Sequence, residues 1–318
     1  MNIKEIKYLK PQDFHTLWES WLQEVKEIPN KVYIEKIVPQ VYGSLITLYF
    51  DSVKNTKVHA RLYLSDKAIK LKRPLIVLFH GAGSATYDEH NIIHSLNWVK
   101  NDFCVIMMDC RNQGTLTIDY NEYSLNRKYY PCRGLLEKDT VYDKLLYQDA
   151  VKLLEITRDK NLEPFKDLYD KEVVVAGPSQ GGQLSLAAAS LSDIPSLCIP
   201  DIPSGCAIIS RIEGRYGKYT SYDDIIKENP HLKDIIYQNT SYADLINMVE
   251  NIKCPVYSSV GTIDDICPME FYLKAYQKIE TKKEVIYYEG YGHGGFEEIH
   301  LPKKIEYVFN YFKIREGR

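Results

Sequence analysis

The sequence predicts an α/β fold in which a mostly parallel β-sheet is flanked by helices on both faces. From residue 74 onward, short apolar runs alternate with longer stretches of helical periodicity, which is the pattern of repeated β–α units. The apolar runs are nearly continuous, as expected of strands that are covered on both faces. One run ends in a glycine-rich turn that leads directly into an Ala- and Leu-rich segment. In such sheets, sites form at the carboxyl ends of the strands.

The N-terminal region, residues 1–73, has a different pattern. Phe14, Trp18 and Trp21 recur at helical spacing and predict an amphipathic helix. Two alternating segments, 43–50 and 58–64, then predict an antiparallel hairpin. We expect this region and the remainder of the 318 residues to form a single domain, because α/β cores of this size are common.

The remaining sequence contains six predicted strands and five predicted helices. The strands are expected at 75–79, 104–108, 173–176, 204–209, 256–260 and 284–288. The helices are expected at 90–100, 140–157, 180–190, 268–279 and 301–312. The polar, tyrosine-rich stretch 216–238 lacks a strand pattern, so we interpret 211–250 as a small cap-like excursion that precedes the strand at 256–260.

Composition argues against several classes of partner. The net charge is −3, from 40 basic and 43 acidic residues that are mixed along the chain, so no nucleic-acid partner is expected. The polar stretch 1–12 lacks the apolar core of a signal peptide, and no segment offers about 20 consecutive apolar residues. We therefore expect a cytoplasmic protein with no membrane partner. The seven cysteines include no C-x-x-C pair, which argues against a disulfide framework and a zinc site.

The turn after the predicted strand at 173–176 reads Gly177-Pro-Ser-Gln-Gly181. A Gly-x-Ser-x-Gly turn between a strand and a helix mounts a nucleophilic serine, and its two glycines prevent a clash at the sharp bend. Ser179 is therefore the predicted nucleophile. The backbone N–H of Gln180 has no intrahelical acceptor at the start of the helix and can donate to an oxyanion.

A serine nucleophile needs a base and a carboxylate that orients the base. Asp264 follows the strand at 256–260, and His293 lies in a glycine-rich loop after the last predicted strand. The chain order serine, acid, histidine is the order found in α/β hydrolases. Asp265 is an adjacent alternative for the acid, and either aspartate could instead cap the helix near Pro268. His231 and His300 lack a position at a strand end.

The loop His80-Gly-Ala-Gly83 follows the first parallel strand. This loop usually supplies the second oxyanion donor, and the backbone N–H of Ala82 is the candidate. We expect His80 to make structural hydrogen bonds rather than to act as a second base. Arg111 and Gln113 are expected to brace the loops, with Arg111 paired to a buried carboxylate such as Asp139.

With these residues assigned, the sequence resembles the acetyl xylan esterase and cephalosporin-C deacetylase group, carbohydrate esterase family seven of the α/β hydrolases. The resemblance covers most of the chain and runs through the His80 loop, Asn97-Trp98, Arg111-Asn-Gln-Gly114, Arg133-Gly134, Asp139-Thr140, Gly177-Pro-Ser-Gln-Gly-Gly182, Asp201-Ile-Pro203, Ser241-Tyr-Ala-Asp-Leu-Ile-Asn247, Gly261-Thr-Ile-Asp264 and Cys267-Pro268. It implies the triad Ser179, Asp264 and His293. It further implies a serine esterase that removes acetyl groups from small substrates such as xylo-oligosaccharides or cephalosporins, a homo-oligomer of hexameric form, and no metal or other cofactor.

Three positions depart from the family pattern. The middle residue of the usual Arg-Gly-Gln loop is Asn112, and Asn tolerates a left-handed backbone better than other non-glycine residues. Gly294 replaces the usual Glu after the histidine, so support for that loop is either missing or supplied by Glu297 or Glu298. Ala82 replaces a Tyr, which predicts a roomier pocket.

The roomier pocket keeps a second enzymatic interpretation open. The chain could be a short-chain carboxylesterase or a peptidase of the same fold with a different acyl substrate. A third interpretation, from another class, is a binding protein that keeps the fold without turnover.

Overall fold

The computed structural model describes residues 5–125 and 129–314 and has the predicted α/β architecture. Part of the N-terminal stretch 1–12 therefore lies outside the described residues. The strands are β1 (Val32–Gln40), β2 (Gly43–Ser52), β3 (Thr56–Ser65), β4 (Leu75–Phe79), β5 (Cys104–Met108), β6 (Val173–Pro178), β7 (Pro195–Asp201), β8 (Val256–Gly261) and β9 (Lys283–Tyr288). The α-helices are α1 (Phe14–Glu27), α2 (Asp66–Lys70), α3 (Glu89–Val99), α4 (Tyr142–Thr157), α5 (Gln180–Leu191), α6 (Ile208–Glu213), α7 (Thr220–Glu228), α8 (Lys233–Ser241), α9 (Met269–Tyr276) and α10 (Glu297–Tyr311).

All nine strands form one sheet in the order β1-β2-β3-β5-β4-β6-β7-β8-β9. The strands from β5 to β9 in this order pair in parallel, whereas β1, β2 and β3 add antiparallel pairing at one edge. The predicted hairpin is confirmed as β2 and β3. Sequence reasoning missed β1, because most of its side chains are exposed and give no apolar pattern.

Helices cover both faces of the sheet. Along β4, Leu75, Val77 and Phe79 pack in one core with residues of α1, α4, α5, α7, α8 and α9. The alternate residues Ile76 and Leu78 pack in a second core with α3 and α10. Full burial of each such side chain contributes about 1.5–3 kcal/mol, so β4 is anchored from both sides. Its carboxyl end is therefore a rigid support for the loops above it.

The predicted strand at 204–209 is wrong. The strand is β7, which ends at Asp201, and α6 begins at Ile208. The carboxylate of Asp244 accepts hydrogen bonds from the N–H groups of Ala207 at 2.9 Å and Ile208 at 2.8 Å. This distant cap satisfies the first turn of α6. Because the cap comes from another part of the chain, local sequence could not reveal it.

The strands predicted at 75–79 and 104–108 are present with the same ends, and the other predicted elements are present with ends shifted by a few residues. The stretch 216–238, for which no strand was expected, contains α7 and most of α8, and its Tyr222 and Ile236 are buried in the first core. Its function as a cap, like the grouping of the chain into one domain, stays a prediction. Among the described residues, no helix is both long enough and apolar enough to cross a membrane.

Candidate active site

The predicted nucleophile lies at the sharp bend between β6 and α5. Ser179 has φ 56° and ψ −114°, a strained backbone conformation that non-glycine residues rarely adopt. Its amide N–H donates to the carbonyl oxygen of Asp201 on the neighbouring strand at 2.9 Å, and its own carbonyl accepts from Gln183 at 2.9 Å. Hydrogen bonds on both sides of the bend therefore hold the strained residue in place.

Two glycines make the bend possible. A Cβ atom added to Gly177 would lie 2.3 Å from the carbonyl oxygen of Phe79, and one added to Gly181 would lie 2.0 Å from the same oxygen. Both distances are far inside van der Waals contact, and the opposing atom belongs to a backbone that cannot move aside. The glycines of the Gly-x-Ser-x-Gly pattern are thus required by the close approach of the bend to the end of β4.

The structure brings Ser179, His293 and Asp264 together in one hydrogen-bonded chain. His293 Nε2 lies 2.9 Å from Ser179 Oγ, and His293 Nδ1 lies 2.8 Å from Asp264 Oδ2. The side chain of Asp264 is 1 % exposed and that of His293 is 19 % exposed. The base therefore faces solvent enough to meet a substrate, while the carboxylate behind it is shielded.

Asp264, and not Asp265, contacts the histidine. Its second oxygen accepts from the backbone N–H groups of Ile266 at 2.9 Å and Cys267 at 2.8 Å. Burial alone would raise the pKa of Asp264, but the hydrogen bonds from His293 and from these N–H groups hold the pKa below its usual value. The neighbouring Asp265 is exposed. Asp264 is therefore ionised when it faces the imidazole.

The electrostatic surroundings of His293 favour its protonated form. Burial alone would lower the pKa of His293, but the hydrogen bond to Asp264 and the adjacent side chain of Cys267 raise the pKa above its usual value of 6.5. A raised pKa makes the imidazole a stronger base. This environment also stabilises the imidazolium that would form when His293 takes a proton.

The candidate oxyanion donors belong to Gln180, which follows the nucleophile, and to Ala82 in the loop after β4. Gly81 lies beside the bend, since a Cβ added to it would be 4.0 Å from the carbonyl oxygen of Pro178. Ala82 is exposed. Within residues 5–125 and 129–314, the amide N–H groups of Ala82 and Gln180 have no acceptor. Both groups are therefore available to an incoming oxygen atom.

Gln113 connects the two donor segments. Its side-chain oxygen accepts from the N–H of Gly83 at 2.8 Å, and its Nε2 donates to Gln180 Oε1 and to the hydroxyl of Tyr142, each at 2.9 Å. The side chain of Gln113 is buried. It therefore connects the loop of Ala82 to the start of α5, and its function as a brace stays a prediction.

His80 contributes structure at the same loop. The N–H of Cys110 donates to His80 Nε2 at 3.1 Å, so the ring proton lies on Nδ1, which donates to the carbonyl of Gly81 at 2.8 Å. Complete burial lowers the pKa of His80. Both ring nitrogens are thus occupied within the fold, as expected of a structural histidine.

Arg111 braces the loops, but its predicted partner is wrong. Asp139 accepts a hydrogen bond from Trp21 Nε1 at 2.7 Å instead. The guanidinium of Arg111 binds both oxygens of Asp149, at 2.6 and 2.7 Å, and also contacts Asp119 at 3.2 Å. Asp149 lies on the buried helix α4 in contact with the arginine, whereas the side chain of Asp139 contacts α1 through Trp21. The bidentate pair joins α4 to the segment that follows β5.

Two departures from the family pattern are accommodated. Asn112 has φ 55°, the left-handed conformation expected for it, and its side-chain oxygen accepts from the N–H of Asp119 at 3.0 Å. At the histidine loop, the carboxylate of Glu297 accepts from the N–H of Gly295 at 2.8 Å. A Cβ added to Gly294 would lie 2.6 Å from Glu297 Oε1. Glu297, rather than Glu298, therefore supports the loop.

Sequence reasoning missed a buried cluster below the site. The carboxylate of Asp201 accepts from Lys304 at 2.6 Å and from Ser259 at 2.7 Å, and it contacts His300 Nε2 at 2.8 Å. The hydroxyl of Tyr288 lies 2.9 Å from His300 Nδ1. Tyr288 and His300 lie on either side of the loop that carries His293. The sequence signals were the match at Asp201-Ile-Pro203 and the spacing of His300 and Lys304, which places both on one face of a helix.

Comparison with known proteins assigns the chain to a family. A family model described as acetyl xylan esterase (AXE1) matches residues 3–311. The acetyl esterase Axe7A of Xylanibacter ruminicola is 27 % identical over 264 residues, which cover 81 % of this chain and 58 % of that protein. The chain thus spans little more than half the length of this relative.

Two solved structures extend the comparison over nearly the whole chain. Acetyl xylan esterase 1 from Thermoanaerobacterium sp. JW/SL YS485 has a TM-score of 0.83 and 27 % identity, over 94 % of this chain and 95 % of that one. The acetyl xylan esterase from Paenibacillus sp. R4 has the same TM-score at 24 % identity, over 95 % and 96 % of the two chains, and supports the fold alone. The protein has the α/β-hydrolase fold and belongs to the acetyl xylan esterase family.

Proposed function

We propose that this protein is a serine esterase that removes acetyl groups from small acetylated substrates, such as acetylated xylo-oligosaccharides or cephalosporins. The observation that carries the proposal is the continuous hydrogen-bonded chain from Ser179 through His293 to Asp264, with distances of 2.9 and 2.8 Å. Membership of the acetyl xylan esterase family supports the acetyl ester as the substrate.

In the proposed reaction, Ser179 Oγ attacks the ester carbonyl while His293 Nε2 takes the hydroxyl proton. The N–H groups of Gln180 and Ala82 donate to the oxyanion of the tetrahedral intermediate. His293 then returns the proton to the departing alkoxide, and an acetyl-enzyme remains on Ser179. Water attacks this ester with His293 again as the base, and acetate leaves. Asp264 holds the imidazole in one tautomer throughout.

The decisive experiment measures acetate release from acetylated xylo-oligosaccharides, together with matched acetyl and butyryl model esters, for the wild type and Ser179→Ala. Serine-dependent release from the sugar, with acetyl preferred over butyryl, supports the proposal. Unchanged release by Ser179→Ala would contradict the assigned nucleophile. Treatment with an organophosphonate tests the third interpretation. Labelling of Ser179 indicates an active nucleophile, whereas no labelling indicates a binding protein that keeps the fold without turnover.

A short-chain carboxylesterase or peptidase is the second candidate, and Ala82 is the observation that favours it. Ala82 stands where the family usually has a tyrosine, and it is exposed beside the nucleophile, so a longer acyl group has more room. A series of acyl chain lengths, measured for the wild type and Ala82→Tyr, tests this candidate. If the chain prefers longer esters and the variant returns the preference to acetyl, the second candidate replaces the first.

We also propose that the chain is cytoplasmic and assembles as a homo-hexamer. The family resemblance supports the hexamer, and seven cysteines without a disulfide framework are typical of a reducing compartment. Light scattering after gel filtration tests the assembly, and a monomer at micromolar concentration would contradict it.

A further inference from the structure

Arg211 lies in α6 beside the loop of Asp264, and its charge has no carboxylate partner among the described residues. The residue is 1 % exposed, and a guanidinium stays protonated inside proteins. Its Nη2 donates to the carbonyl of Ile266 at 2.9 Å and lies 3.2 Å from Cys267 Sγ. Within the described part of the chain, Nε and Nη1 have no hydrogen-bond acceptor at all.

A buried cation without an anion destabilises the fold, because nothing offsets the loss of its hydration. Asp244 lies at the start of the same helix, but its carboxylate accepts from the N–H groups of Ala207, Ile208 and Ile246. Among the described residues it forms no ion pair with Arg211. Cys267 is the group in hydrogen-bond contact with the guanidinium that can lose a proton. The fold therefore favours a negative charge on its sulfur.

The surroundings of Cys267 differ from those of five other buried thiols. Burial alone would raise the pKa of Cys267, but Arg211 and then His293 lower it to about 7. Burial raises the pKa of Cys104, Cys110, Cys198, Cys206 and Cys254. The titratable groups near Cys267 are Arg211, His293 and Asp264. Cys206 lies near both Arg211 and Cys267, and Tyr219 lies near Arg211.

The thiol lies just under an exposed loop. Ile263 and Ile266, on the same loop, are 65 % and 43 % exposed, whereas Cys267 is 5 % exposed. Small reagents can therefore reach the loop that covers the thiol. The loop is also coupled to the triad, because the N–H of Cys267 donates to the Asp264 carboxylate at 2.8 Å and its side chain borders His293.

We propose that Cys267 is a modification site, a thiolate paired with Arg211 that reacts with hydroperoxides and small thiol-directed electrophiles. In the oxidative step the sulfur attacks one oxygen of hydrogen peroxide, an S–O bond forms as the O–O bond breaks, and hydroxide leaves. The sulfur loses two electrons to the peroxide, and the product is a sulfenic acid that excess dithiol reduces back to the thiol. The added oxygen lies against His293 and disturbs its contact with Asp264. Oxidation of Cys267 should therefore inhibit the esterase. This inhibition rests on the proposed function, but the modification of the thiol does not.

The first test measures alkylation rates of all seven cysteines in the folded wild type by iodoacetamide at pH 7, with mass spectrometry of the peptides. Cys267 should react at least about tenfold faster than the other cysteines. Arg211→Met should remove this advantage, whereas the matched control Cys206→Ser should keep it. Equal alkylation rates for all cysteines would overturn the proposal. The order of these rates in the wild type decides the question even if Arg211→Met does not fold.

The second test follows esterase activity during treatment with hydrogen peroxide. Activity should fall in step with sulfenic acid at Cys267 and return with dithiothreitol, whereas Cys267→Ser should lose none of its own activity to peroxide. Labelling without loss of activity would overturn the inhibitory effect. Because alkylation is measured without any ester, it remains decisive if the proposed esterase activity is absent.

Discussion

The amide N–H of Ser179 donates to the carbonyl oxygen of Asp201 at 2.9 Å. The carboxylate of the same aspartate binds Lys304 and His300 on α10, the helix that follows the histidine loop. One residue therefore holds both the nucleophile bend and the helix that follows the loop of His293. Because the two are anchored to a single point at the end of β7, the distance between Ser179 and His293 depends on Asp201.

We expect Asp201→Asn to destabilise the fold by about 3–5 kcal/mol, because it leaves the buried Lys304 without its counter-ion. Urea unfolding at pH 7 measures this change. Asp193→Asn is the matched control, since its pair with Lys253 is exposed and should contribute little. A loss no larger than that of the control would contradict the anchoring function of Asp201.

The same variant should change how stability depends on pH. Burial alone would raise the pKa of Asp201, but Lys304 and His300 hold it well below its usual value of 3.8. A lowered pKa in the fold means that this stabilisation is complete above pH 3.8 and is lost as the pH falls toward the folded-state value. The difference between wild type and Asp201→Asn should therefore shrink in acid, and a constant difference would refute the mechanism.

Asp264→Asn should lower kcat by about 10⁴-fold, because an amide facing His293 Nδ1 favours the wrong tautomer of the imidazole. Asp265→Asn is the matched control, since the neighbouring carboxylate is exposed and does not contact His293. Steady-state hydrolysis of an acetyl model ester measures both variants. A larger loss with Asp265→Asn would transfer the acid function to that residue.

Gln113→Leu should lower kcat/KM by about 10- to 100-fold, which is less than the complete loss of an oxyanion donor. Leucine fills a similar volume but cannot accept from Gly83 or donate to Gln180, so the two donors lose their common brace. The same ester assay measures the effect, and circular dichroism checks that the variant folds. An unchanged kcat/KM in a folded variant would show that the loop holds Ala82 without this residue.

The local parts of the site could be predicted from the sequence, and the parts built by distant contacts could not. The bend at Ser179 and the order of Asp264 and His293 follow from short motifs at strand ends. The bracing function of Gln113 was predicted as well, but its partner on α5 was not. Asp139 was proposed as the partner of Arg111, whereas the structure pairs the arginine with Asp149 on α4, a contact between segments far apart in sequence. The same limitation hid the Asp244 cap and led to a false strand at 204–209.

Glu297→Ala should lower kcat/KM about 3- to 10-fold, because the N–H of Gly295 loses its acceptor and the histidine loop loses one hydrogen bond. Glu298→Ala is the matched control, since this adjacent glutamate has no hydrogen bond to the loop among the described residues. If both variants keep full activity, the loop is held by its backbone alone and Glu297 does not replace the missing family glutamate.

The pH dependence of kcat/KM tests the electrostatics of the base. Because His293 has to be neutral to accept the serine proton, kcat/KM should rise with pH through the pKa of His293, and Asp264 and Cys267 place that midpoint above 6.5. Cys267→Ser removes one of the two groups that raise the pKa, so its midpoint should move to lower pH, while Cys206→Ser should leave the midpoint in place. A wild-type midpoint below 6.5 would mean that burial outweighs both neighbours, and an unshifted midpoint in Cys267→Ser would mean that the sulfur carries no charge beside the imidazole.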